Sequence, residues 1–252
     1  MWVNSLNVSL RAAGIALLFA AIGVTQGCSP APEGVTVHDP YEDRNRAVHA
    51  FNKSVASSFG GETESQGPRI PPDVAVLMIN LAENVALPGV VVNNVLQGDA
   101  AGASTNTVRF LINTIFGVFG VFDPAENIGL SEVETDFGET LAVWGAPEGA
   151  YLELPFIGPS TERDAAGDVV DLFLDPLGPR LTDDQALAAT AAGIGGRVAK
   201  IDQAAGVIDE VLSESADSYA QARLIYLQNR RFELGEDDSA AIDPYDEIFG
   251  SE

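Results

Sequence analysis

The run from Phe110 to Phe122, Phe-Leu-Ile-Asn-Thr-Ile-Phe-Gly-Val-Phe-Gly-Val-Phe, constrains this chain more than any other stretch. Its thirteen residues hold four phenylalanines and no charge. As one helix it would reach roughly 20 Å at about 1.5 Å per residue, well short of a hydrocarbon core of about 30 Å. It therefore cannot cross a bilayer, and it suits either a buried helical hairpin or a re-entrant segment that dips into a membrane and returns. Ser104 or Thr105 is placed to cap a helix with Val108, Leu111, Ile112 and Ile115 on one face and Arg109 and Asn113 elsewhere. Gly117 and Gly120 permit a sharp reversal, and Asp123-Pro124 stops the helix beyond it. The pattern predicts two short apolar arms around a glycine corner between Val108 and Val133.

Composition narrows the setting. Of 252 residues 46% are hydrophobic, yet 37 Asp and Glu against 13 Lys and Arg give a net charge of −24. That combination points to strongly segregated surfaces, one acidic and one apolar. The missing basic footprint excludes nucleic acid as a partner. An anionic membrane would repel the chain as a whole, so membrane contact must come from apolar insertion or an anchor. The single cysteine excludes an internal disulfide and a cysteine-rich metal site.

That cysteine is well placed. Arg11 precedes the apolar span Ala12 to Val24, with small residues after it, so residues 1–27 read as a lipoprotein signal peptide. Val24-Thr-Gln-Gly-Cys28 resembles a bacterial lipobox, whose cleavage exposes a cysteine for acylation; the other reading is an ordinary signal peptide with an incidental thiol. Ser29, not Asp, comes after Cys28, which sorts bacterial lipoproteins to the outer membrane. Several acyl chains hold a protein far more firmly than one. Residues 28–38 form the tether, 39–232 the domain, and 233–252 an acidic tail expected to be disordered.

Within the domain the periodicity is helical nearly throughout, which makes the fold class all-α. Asp39-Pro40 opens a helix with Glu42 and Asp43 in its first turn and an apolar stripe of Val48, Phe51 and Val55. Its cations Arg44, Arg46 and Lys53 are either a solvated face or contacts for phospholipid headgroups. Val74, Leu77, Met78, Leu81 and Val85 carry a second helix, which Pro88 kinks or restarts and Gly98-Asp99 ends. Glu132, Glu134, Asp136 and Glu139 invite a metal, but their alternating spacing and the missing EF-hand glycine favour solvation. Pro147, Pro155 and Pro159 with Gly145, Gly149 and Gly158 make residues 145–160 extended. Ser160-Thr161 starts a helix ending at Pro176. Another occupies 182–212 with Val198, Ile201, Ala205, Ile208 and Leu212 at helical spacing. The last is capped by Ser215 or Asp217 and ends on Arg230-Arg231.

Catalytic signatures are sparse. The sequence holds no nucleophile elbow, Walker loop or zinc helix. Gly193-Ile-Gly-Gly196 is preceded by no strand and is not a dinucleotide fingerprint. Of two histidines, His38 lies in the tether and His49 in the first helix, where a packed or interfacial side chain is the better reading than a triad member. No cofactor or metal is implied.

Several motifs together resemble the MlaA (VacJ) family of outer-membrane lipoproteins. They are Asp39-Pro-Tyr-Glu-Asp-Arg-Asn-Arg46 with Phe51-Asn52, then Asn80, Asn84, Pro88 and Asn94-Val-Leu-Gln-Gly-Asp99. Next come Arg109-Phe-Leu-Ile-Asn-Thr-Ile115, Gly117, Asp123 and Phe137-Gly-Glu-Thr-Leu141, then Trp144-Gly145, Gly149, Tyr151 and Leu154-Pro-Phe-Ile-Gly158. Arg163-Asp164, Gly167-Asp168 and Tyr226-Leu-Gln-Asn-Arg-Arg231 complete the set. The resemblance implies a ring-like helical domain in the inner leaflet of the outer membrane beside a trimeric porin, its acidic surface toward the periplasm. A central amphipathic channel would return mislocalised phospholipids from the outer leaflet to a periplasmic carrier, maintaining lipid asymmetry without covalent chemistry. It makes Phe110, Leu111, Ile115, Phe116, Gly117, Phe119, Gly120 and Phe122 the hairpin bordering that channel. His49, Ala75 and Pro147 depart from the family's usual aromatic, Arg and glycine. The rival readings are a lipoprotein that scaffolds porins without moving lipid and, third, an envelope lipid hydrolase.

Overall fold

The computed structural model describes residues 35–60, 70–177, 181–213 and 217–235, with side chains left undescribed at 56–60 and 201–213. The leader, Cys28, most of the tether, the acidic tail beyond 235 and the side chains of Ile201, Ala205, Ile208 and Leu212 lie outside this description. Among the described residues the order is α1 Glu42–Gly60, α2 Pro72–Gln97, α3 Ala100–Phe116, α4 Pro124–Asn127, α5 Phe137–Val143, β1 Tyr151–Leu154, β2 Gly158–Thr161, α6 Glu162–Leu174, α7 Asp183–Ser213 and α8 Ser218–Glu233. The fold is all-α. Its one ribbon falls inside the proline and glycine stretch read as extended, where β1 pairs antiparallel with β2, Tyr151 opposite Thr161 and Leu154 opposite Gly158.

Side-chain caps set most helix starts. Asp123, Asp136, Thr161 and Asp217 each accept backbone N–H bonds from the first turn they open. α3 corrects the sequence reading. Its cap is Asp99, accepting from Ala101 N at 3.1 Å and Gly102 N at 2.9 Å, whereas Ser104 Oγ bonds back to Ala101 O. The reason is Gly98, whose φ of 80° closes α2 with its N–H on the Asn94 and Val95 carbonyls and presents Asp99 as the earliest available cap. α2 runs unbroken through Pro88. The proline withholds only the N–H that the Asn84 carbonyl would have accepted.

α2 is the scaffold. At 26 residues it is the one helix among the described residues long and apolar enough to cross a membrane by length and composition. α3 and α7 both pack along it, and α5 and α6 pack on each other and touch it. The contact with α7 explains one glycine of that helix: a Cβ on Gly196 would stand 2.3 Å from Ala82 Cβ, so only glycine lets the two backbones approach this closely there. At the other end α1, the ribbon and α8 enclose Tyr151, Tyr219, Leu224 and Leu227. Asn45 of α1 grips β1 by donating to Tyr151 O at 3.0 Å and accepting from Glu153 N at 3.0 Å. Asp39 fastens the entry of the chain to α8 through Tyr219 Oη and Arg223 Nη1.

Candidate functional site

Among the described residues, fifteen polar or charged residues are buried against twelve hydrophobic ones, the reverse of a water-soluble domain. α3 shows the inversion within a single helix. Its buried residues are Gly102, Asn106, Arg109 and Asn113, spaced by four, three and four, which is one helical face. Its exposed face carries Val108, Leu111, Ile115 and Phe116, the last 74% exposed. A helix that hides its asparagines and shows Leu111, Ile115 and Phe116 suits an apolar surround, where hydrogen bonding rather than apolar burial holds helices together.

The hidden face is a connected seam. Asn106 Nδ2 donates to Asn94 Oδ1 at 2.9 Å and to Val133 O at 2.8 Å, and its Oδ1 accepts from Val133 N at 3.1 Å. Arg109 pairs with Asp123 at 2.7 Å and Glu126 at 3.2 Å and also donates to Leu130 O. Asn113 Oδ1 takes the Ala125 N–H at 3.1 Å. These bonds sew the returning segment 123–133 onto α3. That return is not the second helical arm suggested by the sequence. It consists of a turn over 117–121, the single-turn α4 and an extended stretch to Asp136, because Pro124 and the seam claim the backbone groups that a longer helix would need.

The tip is tightly folded. Val118 and Phe119 take φ of 55° and 59°, and Gly120 comes next at 95°. A β-branched residue in the left-handed region is strained, at a cost of order 1–3 kcal/mol. The tip is held from both sides. Gly117 N and Gly120 N donate to Asn113 O at 3.0 and 2.9 Å, and Asn84 Nδ2 of α2 donates to Phe119 O at 3.1 Å and Thr114 Oγ1 at 3.2 Å. Asn80 Nδ2 reaches Val121 O at 3.4 Å. Gly117, at φ −99°, is needed for space and not for handedness, since a Cβ there would meet Phe122 O at 2.3 Å. The sequence-predicted Phe110, Leu111, Ile115, Phe116, Gly117, Phe119, Gly120 and Phe122 thus come together, with Phe116, Phe119 and Phe122 mostly exposed. Sequence reasoning misses Asn80, Asn84, Asn94 and Asn106 as the hairpin's anchors. Their signal is the rarity of asparagine in otherwise apolar helices, two of them a single helical turn apart.

The basic residues of α1 separate. Arg46 is committed to structure, with Nε on Glu42 at 2.7 Å and a two-pronged pair on Asp217 at 3.0 and 2.7 Å, which holds the Asp217 carboxyl down at about 2. Lys53 donates to Ser218 Oγ at 3.2 Å, and Arg44 is exposed. His49 is buried between Glu153 Oε1 at 3.2 Å and Ser218 Oγ at 3.3 Å. The order Ser, His, Glu mimics a hydrolase triad. However, the Tyr219 and Ala220 N–H groups beside Ser218, which would have to steady an oxyanion, are taken by Asp217 at 3.1 Å each, and Glu153 is held by the Tyr151 hydroxyl at 2.6 Å. The acids after the hairpin also have separate duties. Asp136 caps α5 and takes Arg230 at 2.7 Å, while burial, with Glu83 nearby, pushes the Glu132 carboxyl up to about 7.

Comparison with known proteins gives this geometry a context. A family sequence profile described as MlaA lipoprotein matches residues 37–233. The intermembrane phospholipid transport system lipoprotein MlaA of Escherichia coli strain K12 is 34% identical over 200 residues, covering 77% of each chain. Its namesake in Haemophilus influenzae is 28% identical over 228 residues, covering 87% of this chain and 89% of its own. A solved structure described as the structural basis for maintenance of bacterial outer membrane lipid asymmetry superposes with a TM-score of 0.59 at 27% identity, covering 78% of this chain and 98% of its own.

Proposed function

Since the chain belongs to the MlaA lipoprotein family, we propose that it is an intermembrane phospholipid transport lipoprotein that maintains outer-membrane lipid asymmetry. The observation that carries the reading is the inverted α3, with Asn106, Arg109 and Asn113 inside and Leu111, Ile115 and Phe116 outside. Moving the exposed side chains of α3 and its tip from water into hydrocarbon is favourable by on the order of 10 kcal/mol, enough to hold the hairpin in a leaflet without a spanning helix.

In this reading the domain sits in the inner leaflet of the outer membrane, tethered by acylated Cys28 and lying beside a porin. Phospholipid misplaced in the outer leaflet passes along the hairpin of Phe110, Leu111, Ile115, Phe116, Phe119 and Phe122 to a periplasmic carrier. Transfer needs no covalent step: the hairpin offers acyl chains an apolar wall beside a polar interior, and the flux is set by the lipid gradient and the affinity of the acceptor. Arg44 and Lys53 are the cations of α1 that remain for headgroups. The test is the amount of outer-leaflet phospholipid in cells lacking the gene and in cells restored with wild type, Cys28→Ala or Phe119→Asp. Restoration by wild type alone is expected. Restoration by Phe119→Asp at normal abundance would transfer the assignment to a scaffold that does not move lipid.

A further inference from the structure

A second apolar projection stands on a different element. The β1–β2 turn, Pro155-Phe156-Ile157, exposes Phe156 at 72% and Ile157 at 58%, and Phe51 of α1 meets the Phe156 ring edge-on with centroids 5.2 Å apart. The turn is braced. Phe156 N–H donates to Asn52 Oδ1 at 2.8 Å, and Asn52 Nδ2 donates to Leu154 O at 3.0 Å. Phe156 itself takes a φ of 65°, in the left-handed region that bulky residues avoid. Asn52 thus holds an aromatic ring outward against a backbone preference, an arrangement that serves no purpose in packing the interior.

The charge around the projection is equally local. Arg44 and Phe51 lie seven residues apart, two turns along one face of α1, with Ala47 between them, and all three are exposed. The turn from Pro155 to Pro159 contains no carboxylate, although the chain has 37; on α1 the exposed Asp43 stands beside Arg44, one turn before Ala47 and two before Phe51. The turn itself presents aromatic and aliphatic side chains free of carboxylates, with Arg44 two helical turns from Phe51, a composition suited to a membrane interface.

We infer that the Asn52-braced turn is a second membrane-insertion point, distinct from the hairpin. Phe51, Phe156 and Ile157 enter at the boundary of headgroups and acyl chains, and Arg44 meets the phosphates. Two contacts on separate elements would fix the tilt of the domain in the leaflet, which one hairpin cannot do. The inference rests on the membrane reading proposed above.

The test places single tryptophans in the full mature chain, in a Trp144→Phe background, reconstituted with phosphatidylethanolamine and phosphatidylglycerol vesicles containing acyl-brominated lipid. Phe119→Trp reports the hairpin and Phe156→Trp the second point. Comparable loss of emission from both probes, with little quenching of either by aqueous iodide, is the expected result. Quenching of the hairpin probe alone overturns the second insertion point, whether the turn probe is then reached by iodide or covered by protein; a hairpin probe that bromolipid does not reach overturns the membrane reading itself. A companion variant, Phe156→Ser with Ile157→Ser, keeps the turn and its Asn52 bonds. It should bind the same vesicles several-fold more weakly than wild type, and unchanged binding counts against the inference.

Discussion

At the scale of the residue, Arg109 shows how much of the site hangs on a single side chain. It is 3% exposed and joins α3 to Asp123, Glu126 and the Leu130 carbonyl, so three points of the returning chain converge on one guanidinium. Its carboxylate partners are less buried, Asp123 at 18% and Glu126 at 56% exposed, so losing the guanidinium costs on the order of 1–3 kcal/mol, chiefly for the Asp123 charge and the Leu130 carbonyl left without it. Arg109→Leu should therefore lower the thermal stability of the detergent-solubilised protein markedly and release residues 123–133 to protease, whereas Leu111→Ala on the exposed face should do neither. Equal effects from the two would show that α3 is packed the ordinary way round. The sequence displayed Arg109 and Asn113 off the apolar face but not which face was inside. Period alone is blind to that choice, because an amphipathic helix in water and its inverse in lipid have the same spacing.

At the scale of the element, the hairpin tip is a strained turn held by α2, and its glycines are not equivalent. Gly120 combines φ of 95° with a Cβ position 2.3 Å from Asn84 Cβ, so Gly120→Ala meets backbone strain and collision together. It should displace the tip from Asn84 and impair transport while leaving helix content by circular dichroism unchanged. Val118→Gly has the opposite sign. It relieves a left-handed β-branched residue and should keep or raise thermal stability by about 1 kcal/mol, less whatever glycine adds to the freedom of the unfolded chain. A Val118→Gly protein that unfolds earlier would mean that the valine side chain, 59% exposed, is anchored after all. Most elements were legible in the sequence, since Asp and Thr caps, Gly98 and the arginines of α8 mark their ends. The descending arm was not: an apolar, glycine-punctuated run reads alike as helix or turn until its hydrogen-bond partners, here Asn80 and Asn84 some 30 to 40 residues earlier, are known. The ribbon was legible only as extended chain, because two four-residue strands carry too little alternation to declare a pairing.

At the scale of the whole molecule, inversion of apolar and polar surface leaves the charges that remain inside to set how stability depends on pH. Glu132 stands where α2, α3, α7 and the returning segment meet. Burial raises its carboxyl from 4.5 to about 7 and the like charges of Glu83 and Glu134 add to the rise, against the cations of Arg109 and Lys200. Lys200 is itself bound to Glu83 at 2.7 Å and also faces Glu134, so it answers three acids rather than Glu132 alone. Linkage fixes the sign. Below about 4.5 the carboxyl is protonated whether the chain is folded or not, and it contributes no pH dependence. Between 4.5 and 7 the unfolded chain ionises first and draws the equilibrium toward itself. Above 7 the full penalty is present, of order 1–3 kcal/mol for a half-buried group. Glu132→Gln keeps the shape and removes the ionisation. It should leave stability nearly unchanged at pH 4 and raise it at pH 8, flattening the decline between, as measured by thermal unfolding across that range. A variant that loses stability at pH 8 would mean that Glu132 serves as the counter-ion of Lys200 and Arg109, and the four segments would then be joined by attraction at that point instead of held together in spite of a buried charge.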